Sequence, residues 1–97
     1  MRHFFRTHLT PDEVMAESDM FFPALALTTT SAGARERVFT GLLGTLSMRV
    51  RPEGGHYTFV QVETDQIGES RLDRNVKAFF TRLHRLADPA YRLTAAY

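Results

Sequence analysis

The stretch Ser70–Ala87, SRLDRNVKAFFTRLHRLA, decides the fold of this chain. Leu72, Val76, Phe79, Phe80, Leu83, Leu86 and Ala87 recur at intervals of three and four, which gathers them on one stripe of a helix. Ser70 is an N-cap residue by type, and Asp73, three residues on, makes an acidic variant of the capping box. Pro89 sets the far limit, because the residue before a proline is driven out of helical geometry. A helix over Arg71–Ala87 at about 1.5 Å per residue runs roughly 25 Å, enough to cross a small sheet. Phe79 and Phe80 stand side by side at its middle and carry the largest apolar payload in the chain. The residues upstream must therefore provide a surface for this helix to lie on.

The nearest such surface is a hairpin. Thr45–Arg51 alternates, with Leu46, Met48 and Val50 on one face and Thr45, Ser47, Arg49 and Arg51 on the other, the pattern of a strand buried on one side. Pro52-Glu53-Gly54-Gly55 reads as the turn and His56–Thr64 as the partner strand. A three-residue loop, Glu53–Gly55 with Gly55 left-handed, sets Leu46, Met48 and Val50 beside Val62, Val60 and Thr58. A loop of two or four residues sets them beside Gln61, Phe59 and Tyr57 instead. The first register buries more aliphatic surface and no glutamine, and is preferred.

Further upstream, Arg2–Leu9 reads as a first strand, with Phe5, Thr7 and Leu9 on one face and Phe4, Arg6 and His8 on the other. A helix follows, announced by three signals: Thr10 as N-cap with Glu13 closing a capping box, Pro11 at the first helical position, and Leu9 with Val14 as a hydrophobic staple. Val14, Met15, Ser18, Phe21 and Phe22 form its buried stripe, and Pro23 ends it. Ala24–Thr30 is a short threonine-rich strand, residues 31–34 a turn, and Arg35–Thr40 the returning strand with Val38 or Phe39 inward. Gly41-Leu42-Leu43-Gly44 bends the chain, its glycines allowing tight geometry and its leucines available to the core.

The order is β-α-β-β-β-β-α in one domain, residues 1–97, with 88–97 as a C-terminal tail of no clear period. Strands in a meander are antiparallel, and helices at either end of it segregate to one face. The class is α+β: an antiparallel sheet of about five strands with the long C-terminal helix packed across one face. This order is similar to that of the TATA-binding-protein-like and helix-grip folds, whose curved sheet wraps a long C-terminal helix. The likeness covers element order and length, and no site or activity follows from it.

Composition narrows the chemistry. The chain has 97 residues, a net charge of +1 and no cysteine, so disulfides, thiolate metal sites and thiol catalysis are excluded. The missing cysteine also favours the cytoplasm. The longest apolar run, Met20–Leu27, is broken by Pro23 and is far short of a membrane span. Residues 1–6 lack the apolar core of a secretory signal. A balanced charge gives no global field for nucleic acid or anionic membrane.

No constellation carries catalysis. His3, His8, His56 and His84 have no metal-ligand spacing and read as surface and boundary residues. Glu63 and Asp65 are two apart on a strand, a spacing that pairs acids, yet nothing apolar nearby would raise the pKa of either. Ser47, His56 and Glu63 lack a nucleophile elbow. Gly54-Gly55 precedes a strand rather than a helix, so it is no phosphate loop. No catalytic residue, metal ligand or cofactor is expected.

The informative feature is the second face of the hairpin, where Arg49, Arg51, Tyr57, Phe59 and Gln61 stand away from the long helix. Arginine and large aromatics together are enriched in protein interfaces. They also serve as stacking platforms for single-stranded nucleic acid, a reading the neutral charge disfavours, or make plain cross-strand cation–π pairs. The expectation is a non-catalytic interaction or assembly module, a homo-oligomer or a small subunit docking by this face. The alternative is an apolar ligand held between sheet and helix by Met48, Val60, Phe79, Phe80 and Leu83.

Overall fold

The computed structural model describes residues 1–88. Apart from Asp88, the expected tail therefore lies outside the described residues. Helix α1, Pro11–Phe21, begins at the expected capping box: Thr10 Oγ1 accepts from the Glu13 amide at 3.2 Å, and Glu13 Oε1 accepts from the Thr10 amide at 3.0 Å. Helix α2, Arg71–Ala87, has the expected bounds, with Ser70 Oγ accepting from the Asp73 amide at 3.0 Å.

Five strands make one antiparallel sheet: β1 (Arg2–Thr7), β2 (Thr28–Ala32), β3 (Glu36–Gly41), β4 (Gly44–Glu53) and β5 (Tyr57–Thr64). Their spatial order is β1-β5-β4-β3-β2. The class and the β-α-β-β-β-β-α order are those read from the sequence, apart from a short 3₁₀ turn at Pro23–Leu25. That turn moves β2. Pro23 ends the α-helix, but its fixed φ suits the start of a 3₁₀ turn. The strand consequently begins at Thr28 rather than Ala24 and takes in Ser31 and Ala32. Between β3 and β4, Gly41 faces Gly44 across a two-residue turn. Leu43 packs against the core there, whereas Leu42 is fully exposed instead of joining it.

The β4–β5 hairpin corrects the expected register. Its loop is three residues long but lies at Gly54-Gly55-His56, since Glu53 pairs with Tyr57. Gly55 is left-handed as expected (φ 74°), and so is His56 (φ 64°). Met48 therefore faces Val62, Val50 faces Val60 and Leu46 faces Thr64, two residues from the expected pairing. An even shift keeps every side chain on its face, so the inward set is unchanged. The reason is Pro52. The Val50 amide bonds the Arg35 carbonyl on the β3 side, and Pro52, two residues on, directs its backbone nitrogen to that same side, where β3 has ended. The proline has no partner there to deprive, so the strand runs through it.

Both helices pack on one face. Leu46, Met48, Val50, Val60 and Val62 meet Val14, Phe22, Leu72, Val76, Phe79 and Leu83 in a single core. Phe22 holds the two helices to the sheet: its ring lies 4.9 Å from that of Phe79 on α2 and 5.1 Å from that of Phe39 on β3. Phe39, and not Val38, is the inward residue of β3. Among the described residues no helix is long and apolar enough to cross a membrane.

Candidate interface on the open face of the sheet

Because side chains alternate along a strand, the register defines rows across the face that the helices leave bare. One row runs Arg2, Glu63, Ser47, Val38. The next runs Phe4, Gln61, Arg49, Glu36, and the third Arg6, Phe59, Arg51. Tyr57 and Glu53 pair at the end of the hairpin. The five residues expected at an interface, Arg49, Arg51, Tyr57, Phe59 and Gln61, all stand on this face. β1 adds Phe4 and Arg6. The pattern of β1 shows which of its residues share a face, but its place beside β5 is a long-range pairing that no local pattern encodes.

Phe59 is the centre. Among the described residues no helix covers it, yet it is only 8% exposed. The guanidinium groups of Arg6 and Arg51 lie over its ring at 5.0 and 4.7 Å, and Phe4 stacks on it at 5.7 Å. Phe4 and Tyr57 remain open, at 53% and 39%, and Tyr57 meets the His8 ring at 4.4 Å. Carboxylates answer two of the four arginines: Arg2 reaches Glu63 at 3.1 Å and Arg6 reaches Glu53 at 2.8 Å, whereas Arg49 stands 3.9 Å from Glu36.

A second cluster lies on the opposite side, beneath the start of α2. Asp73 is 1% exposed and sits against three groups: His3 Nε2 at 2.7 Å, Thr64 Oγ1 at 2.8 Å and Ser70 Oγ at 2.6 Å. Burial pushes its carboxyl pKa up, but the hydrogen bonds from His3, Ser70 and Thr64 outweigh that and hold it below the usual value. An ionised carboxylate only accepts, so His3 Nε2 carries the proton in this bond. His3 is thus a buried residue of the inward face and not a surface one. Sequence reading missed it, although its parity with Phe5 and Thr7 was a usable signal. The cluster is not arranged as a nucleophile with its base. The Ser70 hydroxyl caps α2 and donates to Asp73, so the cluster ties β1, β5 and α2 together.

The other sequence candidates separate. Glu63 lies on the open face with Arg2, while Asp65 accepts from the Thr45 amide at 3.0 Å and from Gln66 Nε2 at 2.8 Å. Those bonds, the Thr45 amide foremost, lower the Asp65 pKa. Among the described residues no three His, Asp or Glu gather as metal ligands would. Met48, Val60, Phe79, Phe80 and Leu83, the residues of the alternative ligand site, are all buried in the core. Neither a known family model nor a curated protein matches this chain.

Proposed function

We propose that this chain is a non-catalytic assembly module that docks through the open face of its sheet, and that the occupant is a second copy of the same chain. The observation that carries the reading is the bare face itself: Phe4, Tyr57 and the clasped Phe59 lie where a monomeric sheet places short polar groups. A five-stranded sheet with strands about 4.8 Å apart is roughly 24 Å across, room for an interface approaching the standard ~800 Å² per partner. Charge favours a copy over a strongly acidic or basic partner. The rows hold four arginines (Arg2, Arg6, Arg49, Arg51) against three glutamates (Glu36, Glu53, Glu63), so a twofold apposition brings nearly neutral, mixed surfaces together. Phe4 and Tyr57 are the anchors, and the charged residues form the rim.

The test is sedimentation velocity over a concentration series, comparing the wild type with Phe4→Ser combined with Tyr57→Ser. Both side chains are exposed, so the variant keeps its core. A concentration-dependent dimer that the variant abolishes supports the reading. A wild type that stays monomeric throughout, or a variant that dimerises equally well, refutes it.

A further inference from the structure

The six arginines on or beside the strands divide into two groups. Arg2, Arg6 and Arg37 each have a carboxylate within reach, at 3.1, 2.8 and 2.8 Å. Among the described residues, Arg35, Arg49 and Arg51 do not; the one ion pair among them there is the 3.9 Å approach of Arg49 to Glu36, too long for a hydrogen bond. These three also border one hollow. Together with Glu36, Phe59 and Gln61 they line this hollow of about 230 Å³ at the corner where β3 ends and β4 runs on. Collecting like charges in one hollow costs free energy unless an anion joins them.

We propose that Arg35, Arg49 and Arg51 form a binding site for a phosphate group, as inorganic phosphate or a small phosphate monoester. Three arginines and one glutamate line the hollow, a net side-chain charge of +2, which matches a phosphate that carries about −1.5 to −2 near neutral pH better than it matches a carboxylate. Arg51 is already set for the task. Its guanidinium lies over Phe59 at 4.7 Å, and stacking uses the face of the group while its in-plane N–H donors stay free. Arg35 makes no side-chain hydrogen bond or ion pair among the described residues, so its donors are free as well. Guanidinium forks match the oxygens of a phosphate in pairs. The site is open to solvent, so its affinity falls as salt rises.

The experiment is a titration of ¹⁵N-labelled protein with inorganic phosphate at low, constant ionic strength, with chloride as the matched control and a small phosphate monoester as a second arm. It is run on the wild type at concentrations below the onset of self-association and on Tyr57→Ser, which lacks a docking anchor but keeps the contacts around Phe59, so the site is read independently of self-association. Saturable shifts at the Arg35, Arg49 and Arg51 side chains and the Gln61 amide, absent with chloride, are expected. Tighter binding in the monoester arm identifies an esterified ligand, and equal binding identifies the free ion. Arg35→Gln should weaken binding about tenfold, and Arg49→Gln with Arg51→Gln should abolish it. Because Arg51 also packs on Phe59, Arg35→Gln is the decisive variant. Shifts that chloride reproduces, or that persist undiminished in Arg35→Gln, overturn the proposal.

Discussion

Removing the Asp73 carboxylate tests whether the buried cluster holds the N-terminal strand to the long helix. In Asp73→Ala the Nε2–H of His3, 8% exposed, loses its acceptor, and the hydroxyls of Thr64 and Ser70 lose theirs. Both hydroxyls are half-buried and can turn to water, so most of the penalty falls on His3. An orphaned buried donor costs about 1–3 kcal/mol, and a hydrogen bond to a charged group is worth more than a neutral one. A loss of about 2–3 kcal/mol in urea melts at neutral pH is expected, a large part of the stability of a small domain.

The pH dependence gives the sharper reading. The Asp73 pKa is lower folded than unfolded. Its contribution is therefore complete above the unfolded value of about 3.9 and is lost as the pH falls through the lower folded value. Glu13 and Asp65 are also lowered, by their hydrogen bonds to Thr10 and Thr45, but they are common to both proteins and cancel in the difference. The gap between wild type and Asp73→Ala should narrow in a series from about pH 5 to about pH 2. A cost under about 1 kcal/mol at neutral pH, or a gap that stays constant on acidification, would show that the carboxylate is not the ionised centre of the cluster.

Two further outcomes test the helices. Thr10→Ala should destabilise by about 1 kcal/mol and accelerate hydrogen exchange of the Glu13 amide, which Thr10 Oγ1 accepts from at 3.2 Å; unchanged exchange there would exclude Thr10 as the cap. Phe79→Ala should cost about 3–5 kcal/mol, since its ring contacts those of Phe21 and Phe22 at 5.4 and 4.9 Å. A loss under about 1 kcal/mol would mean that α2 does not rest on the sheet.

What the sequence made legible was local. Both helices start at side chains that satisfy their first amides, so Thr10 and Ser70 marked them, and the period of the apolar residues gave the buried face of α2. The alternation Leu46, Met48, Val50 gave the inward face of β4. Register was harder, because Pro52 reads as a breaker until one knows that β3 stops short of it. The His3–Asp73 pair spans 70 residues of sequence, and neither residue has a local reason to seek the other. Asp73 looked like the second half of a capping box; its amide does bond Ser70 Oγ, but its carboxylate takes the Ser70 and Thr64 hydroxyls and the His3 ring instead of the Ser70 amide, a role that depends on where β1 lies.

The same alternation separates the core from the face proposed for docking. Along β4, Leu46, Met48 and Val50 are buried under the helices while Ser47, Arg49 and Arg51 occupy the opposite face, so a change on one face leaves the other set in place. Phe59 is the exception that makes the open face more than a passive surface. It points away from the core yet is buried by Arg6, Arg51 and Phe4. Those contacts order two arginines before any partner arrives. Immobilising a long side chain on binding costs about 0.5–1.5 kcal/mol, and here part of that cost is met during folding. Because Arg51 belongs to both the clasp and the arginine hollow, loosening Phe59 should weaken the proposed docking and the proposed anion binding together, whereas loss of Arg35 touches the hollow alone.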